Sequence, residues 1–164
     1  MGSPSRPKPR KPTRMPESIE WNWSDRVEHE LGMIAPYMFG TILDYGCGTG
    51  RLTRSLGAIG YDPDPEAVEY ARTLGGRYST VPPCDFDSAF SVLVFQHLPD
   101  LVVRDIIEFI HPRPFRFQFV AGTEQGPLTH QRSEDEMLGL CESYRWTDVD
   151  PDPVHPEWRW VTCD

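Results

Sequence analysis

The sequence predicts an α/β fold: a doubly wound, mostly parallel sheet with helices on both faces and an antiparallel hairpin at its C-terminal end. Three observations carry that prediction. Short apolar runs alternate with amphipathic stretches of helical period, three glycines crowd into five residues behind the first apolar run, and two strand-like runs follow one another at the end. Parallel neighbours need crossover connections, which the helical stretches supply, whereas two strands in direct succession must turn back on each other.

The elements follow in order. A helix is expected from about Asp25 to Tyr37, with Val27, Leu31, Ile34 and Met38 on one face and Asp25 and Glu28 spaced as a capping box. Thr41–Tyr45 reads as a buried strand ending beside an acid, the glycines close it, and a short helix, Arg51–Leu56, follows. Ala58–Asp62 is a second strand that also ends in an acid. Asp64 then caps a helix with Pro65 at its first position and Gly75 beyond its end, burying Ala67, Tyr70, Ala71 and Leu74. Arg77–Val81 is a weak third strand, and Ala89–Phe95 is the strongest buried strand in the chain. Leu101–Ile110 is helical, with Val102, Val103, Ile106, Ile107 and Ile110 together and His111-Pro112 as its stop. Phe115–Val120 makes a fifth strand, and Ser133 with Glu136 boxes a helix reaching about Tyr144. Arg145–Val149 and Trp158–Thr162 form the hairpin around the turn Asp150-Pro151-Asp152-Pro153.

A length of 164 residues suits one domain, assigned to 17–164. Residues 1–16 hold five bases, no acid and much proline, and are expected to be a disordered tail. Taking those bases out leaves 11 basic residues against 25 acids, so the body carries a formal −14 although the whole chain carries −9. Such a body is a poor general binder of nucleic acid or anionic membrane, and nucleic acid would be reached only through the tail. No stretch has the apolar length of a membrane span, and the basic head lacks the apolar segment of a secretory signal. Four cysteines, scattered without C-x-x-C spacing, indicate neither a disulfide framework nor a metal site. A cytoplasmic location is expected.

The glycines define the chemistry. A dinucleotide site would have its third glycine at residue 51, which is Arg, and a P-loop needs a lysine, none of which occurs after Lys11. What remains is a backbone that comes close to a ligand without neutralising a diphosphate. Asp44 before the loop can face a cation, and Asp62 ends the next strand, where a carboxylate can accept both hydroxyls of a ribose. A cationic ligand with a ribose fits both acids.

These residues resemble the class I S-adenosylmethionine-dependent methyltransferases. Asp44-Tyr45-Gly46-Cys47-Gly48-Thr49-Gly50 is similar to that family's glycine motif, Ile59–Pro65 to its second-strand motif, and Phe90–Phe95 with Gln96-His97-Leu98-Pro99-Asp100 to the fourth strand and the corner of its small-molecule branch. The resemblance implies a seven-stranded sheet and S-adenosylmethionine as cofactor, held by Asp44, Gly46, Cys47, Gly48, Gly50, Asp62, Pro63, Asp85 and Phe95. It also implies His97 as catalytic base or substrate contact, Trp21 and Trp23 as a lid, and Glu124 and His130 on the substrate side. The chain departs from the family in a clipped helix after the glycines and a compressed run, Val81–Asp87, before the fourth strand, where Asp85 is assigned to the adenine. The N-P-P-Y tetrad and the Pro-Cys nucleophile of DNA-modifying members are absent after that strand. A small-molecule or protein acceptor is therefore expected, with a partner chain able to complete the acceptor site. The alternatives are a non-catalytic subunit that keeps the cofactor pocket, and an RNA acceptor addressed by the tail.

Overall fold

The computed structural model describes residues 24–122, 130 and 132–164. The basic segment, Trp21, Trp23 and Glu124 lie outside the described residues. Helix α1 (Ser24–Ile34) runs into a 3-10 turn, Ala35–Tyr37, and is already under way at Ser24, so Asp25 lies within it rather than capping it. There follow β1 (Ile42–Tyr45), α2 (Arg51–Leu56), β2 (Ile59–Tyr61), α3 (Pro65–Thr73), β3 (Arg77–Ser79), β4 (Ser88–Val92), α4 (Asp100–Ile110), β5 (Phe115–Val120), α5 (Glu134–Leu140), β6 (Trp146–Pro151) and β7 (Trp158–Cys163).

The seven strands form one sheet in the order β3-β2-β1-β4-β5-β7-β6. All neighbours are parallel as far as β5; β7 then runs antiparallel to both β5 and β6. Alternate strand residues feed two cores on opposite faces, as period-two side chains must. Leu43, Ala89, Phe115, Phe117 and Phe119 pack against Ile106, Ile107 and Ile110 of α4 and Met137 of α5. Phe90 and Trp160 face the other way, onto Ile34 of α1 and Leu52 of α2. Among the described residues, no helix is long and apolar enough to cross a membrane.

Local signals place most boundaries within a residue or two. The side chain of Asp64 accepts from Glu66 N at 2.9 Å at the start of α3, and Ser133 and Glu136 make the reciprocal cap of α5. The buried stripe of α3 is where the sequence reading fails: Val68 and Ala71 are buried while Leu74 is 47% exposed. This helix packs against Tyr78 of β3, and that contact selects its inward face. The fourth strand also stops earlier than expected, at Val92. Leu93 takes a positive φ of 57°, and Phe95–His97 becomes a 3-10 turn.

Candidate cofactor site

The site sits where the carboxyl ends of β1, β2 and β4 meet, the place where parallel sheets bind ligands. Gly46 N and Cys47 N both donate to Tyr61 O, at 2.8 and 2.9 Å, which ties the glycine loop to the end of β2. The three glycines do different work. A side chain on Gly46 would meet Val94 at 2.4 Å, and one on Gly50 would meet Tyr78 Oη at 2.3 Å, so two of the vacated spaces are filled by the protein. At Gly48, whose φ is +51°, nothing lies within 4 Å. This is the glycine whose missing side chain leaves room for a ligand.

Gly48 lies on a cavity of about 320 Å³, lined also by Asp44, Gly46, Cys47, Thr49, Arg51, Leu52, Asp62 and Asp64. Asp44 is buried and accepts from Thr53 Oγ1 at 2.6 Å. Burial pushes its carboxyl up to about 7, against the opposing influence of Thr53 and Arg51. Burial likewise raises the Cys47 thiol, helped by Asp44 and Asp62, so that it is a neutral wall and not a nucleophile. Asp62 accepts from Gly48 N at 2.8 Å with one oxygen and from Asp64 N at 2.9 Å with the other. Each oxygen keeps a second lone pair, so Asp62 can tether the loop and still accept from a diol.

A second cavity of about 480 Å³ opens beside the first and shares Gly46, Asp62 and Val92 with it. Its walls are apolar and aromatic: Tyr45, Tyr61, Pro63, Val94, Leu98 and Val102, with His97 on its lining and exposed. Tyr45 and Tyr61 pack with ring centroids 4.7 Å apart at its floor.

Of the residues assigned from sequence, Asp44, Gly46, Cys47, Gly48, Asp62, Pro63 and His97 thus line the two joined cavities. Gly50 supports the loop from behind through Tyr78. Two assignments are corrected. Phe95 is 1% exposed and packs on Phe115 and Phe117 in the core, because the chain leaves the strand at Val92 and the 3-10 turn points that ring inward. Asp85 is exposed at the wrong end of the sheet: the connection from β3 must reach the amino end of β4, where Cys84 O accepts from Arg113 and Asp87 N donates to Thr41 O. His130 is exposed, its amide donating to Gln96 O at 2.6 Å, and it lines neither cavity.

Sequence reasoning missed three residues. Tyr78 is the ring around which Gly50, Gly60 and Gly76 are cleared. Glu30, wholly buried on α1, bonds Arg51 on the cavity wall. Arg132 donates to Phe95 O, Leu98 O and His130 O at 2.8, 2.6 and 3.0 Å, and to Asp100, which fixes the turn carrying His97. A buried arginine so saturated has no periodic signature; only the fold brings its partners together.

Comparison with known proteins agrees with this architecture. Residues 43–109, from β1 into α4, match the family described as methyltransferase domain. That stretch is similar to a methyltransferase domain over less than half of the chain. Its fold superposes on the DhpI–SAH complex with a TM-score of 0.69 at 21% identity, covering 85% of this chain and 84% of that one. Magnesium protoporphyrin IX methyltransferase from Synechocystis PCC 6803, with bound SAM, gives 0.65 at 16% identity over 85% and 76% of the two chains. In sequence, the chain is 36% identical over 98 residues to tRNA U34 carboxymethyltransferase of Shewanella sp. strain W3-18-1. That alignment takes in 48% of this chain and 28% of the relative's length.

Proposed function

We propose that this domain binds S-adenosylmethionine across the two joined cavities and transfers its methyl group to an oxygen or nitrogen of a small molecule. The observation that carries the reading is the joint itself: Gly48 open to the cavity, its amide held by the same Asp62 carboxylate that faces both spaces. The residues fit the cofactor. Asp62 is free on one lone pair of each oxygen for the ribose hydroxyls, Pro63 and the apolar walls suit the adenine, and Asp44 suits a positive charge. When bound, the cofactor supplies a methyl group already activated by its sulfonium, so alignment and exclusion of water can provide most of the acceleration. The chain contributes a rigid loop and, at the rim, His97 as the base for an acceptor that must lose a proton.

Calorimetric titration with S-adenosylmethionine and S-adenosylhomocysteine tests the reading, with micromolar binding of both as the expected result. A folded protein that binds neither would replace it with a structural role. Asp62→Ala is expected to weaken binding by about 1–3 kcal/mol through the lost hydrogen bonds; undiminished affinity would put the ribose elsewhere. His97→Ala should lower turnover and leave cofactor affinity unchanged, and a loss of affinity as large as the loss of turnover would make it part of the binding pocket.

Asp44 gives the binding a pH dependence. Its carboxyl is near half-protonated at about pH 7 in the free domain, and a ligand cation beside it favours the ionised form. Affinity should therefore rise from pH 6 to 8 with release of a proton, visible as a buffer-dependent enthalpy of binding at pH 6.5 and lost in Asp44→Asn. The opposite holds for the free fold. A carboxyl whose folded value lies above its unfolded 3.8 contributes stability below that value and loses it as the pH climbs through about 7.

A second reading, transfer to RNA, is favoured by the tRNA U34 carboxymethyltransferase similarity. Its test is transfer of labelled methyl to bulk tRNA by the full chain and by a chain lacking residues 1–16; loss with the deletion supports it, and no transfer by either discards it.

A further inference from the structure

We infer that a separate cavity, at the end of the sheet opposite the cofactor site, binds the phosphate group of a small phosphorylated molecule through Arg54 and Arg77. The inference does not depend on the cofactor reading. The cavity measures about 350 Å³ and lies where α2 and α3 end and β2 and β3 begin, with Arg54, Gly57, Gly75, Gly76 and Arg77 among its walls. No described residue lining it is an acid. Elsewhere acids dominate, since residues 17–164 hold 25 of them against 11 bases, all arginine. Arg26, Arg51, Arg116, Arg132 and Arg159 each pair with a carboxylate. Among the described residues no acid pairs with Arg54, Arg72 or Arg77. They donate instead to main-chain oxygens, of Thr49, Tyr78 and Gly57 at 3.1, 2.8 and 3.2 Å, and Arg54 lies beside the Tyr78 hydroxyl as well.

Arginines in the last turn of a helix answer the negative end of its dipole, and Arg54 and Arg72 stand in such turns. Magnitudes show that charge is left over. A helix end carries about half an elementary charge, so the two ends offset about one of the two full charges on the cavity wall, and Arg72 adds a third nearby. The end carbonyls are also engaged by the main chain already: Gly57 N donates to Arg54 O, Ala58 N to Thr53 O and Gly75 N to Arg72 O. A guanidinium has five donors, and the contacts above use only one or two of them. Gly57 and Gly75, with φ of +62° and +87°, have nothing within 4 Å of the place where a side chain would begin, so a ligand can reach the backbone itself. Two arginines from different elements suit a phosphate, whose terminal oxygens are arranged tetrahedrally, better than the two coplanar oxygens of a carboxylate. The acidic body repels an extended polyanion, whereas a compact one placed here meets only the arginines.

The test is titration of the labelled full chain with inorganic phosphate and with pyrophosphate at low salt, followed by amide NMR. Both probes should shift the amides of Gly57, Gly75 and Gly76, and pyrophosphate should bind with a Kd on the order of 1 mM, as exposed charge-assisted contacts allow. Arg77→Gln and Arg54→Gln should each raise that Kd about fivefold or more, and Arg104→Gln, at an exposed arginine of α4, should leave it unchanged. The spectra themselves certify that each variant is folded. Absence of shifts well above that concentration overturns the inference, as do shifts confined to Gly46 and Gly48, or an equal loss in Arg104→Gln, which would mean diffuse attraction. Bulk tRNA is the remaining probe: binding of tRNA that Arg77→Gln weakens, with pyrophosphate inert, would replace the small ligand by a nucleic-acid backbone.

Discussion

Gly50→Ala is expected to destabilise the domain by about 2–4 kcal/mol, from a left-handed backbone costing about 1 and overpacking costing about 1–3. The residue has a φ of +74°, which a side chain resists, and its new methyl would lie 2.3–2.5 Å from three atoms of the Tyr78 ring. That ring has no room to retreat. It is buried, its hydroxyl donates to Gly50 O at 3.3 Å, and Gly60 and Gly76 leave no space on its other sides either, since a methyl on each would lie 2.5 and 2.9 Å from it. Displacing the ring shifts the loop that presents Gly48, so cofactor affinity should fall with stability. Urea unfolding measures the first and titration the second; a variant within about 0.5 kcal/mol of wild type would mean that the cradle around Tyr78 is slack. Gly48→Ala separates the two effects. It carries backbone strain without a clash, so it should cost less stability and block the ligand more directly.

Asp152→Ala is expected to cost about 3–5 kcal/mol, because it strands several buried donors that converge on one carboxylate. Asp152 is 1% exposed at the end of β6. One of its oxygens accepts from Gln118 Nε2, Trp160 Nε1 and His29 Nε2 at 3.0, 2.9 and 3.0 Å. The other accepts from Val154 N and His155 N at 2.9 and 3.0 Å. The group joins β5, β7, the hairpin turn and α1 in one polar cluster. Burial alone would raise its carboxyl, but the donors, His29 foremost, hold it at about 2. The folded value lies below the unfolded one, so the stabilisation is full above pH 4 and is lost as the pH falls through about 2. Thermal unfolding followed from pH 6 to 2 should show this loss in the wild type and a flatter profile in Asp152→Asn. Equal profiles would remove Asp152 from the acid response.

Much of this architecture was legible because its signals are local. The Ser133–Glu136 cap, the Asp64 cap with Pro65 behind it, and the short strands beside whose ends Asp44 and Asp62 lie each depend on residues within a few positions of one another. Failures came where a distant element chooses. Val68 and not Leu74 is buried because β3 offers Tyr78 to that side of α3, and Phe95 turns inward because the strand stops at Val92. Asp85 was misplaced because chain order does not say at which end of the sheet a connection finishes.

By itself the sequence determined the alternation of strands and helices, the antiparallel close of the sheet and the acid–glycine–acid grouping of the site, since periodicity, capping and backbone permissiveness act over short range. Tertiary structure alone decided what fills the glycines' vacated space. Val94 and Tyr78 come from strands and turns far along the chain to occupy two of the three, and only Gly48 is left open. It also placed an ion pair beside the site: buried Glu30 of α1 meets partly buried Arg51 of α2, and a buried carboxylate is tolerated only once the fold has brought its partner to it.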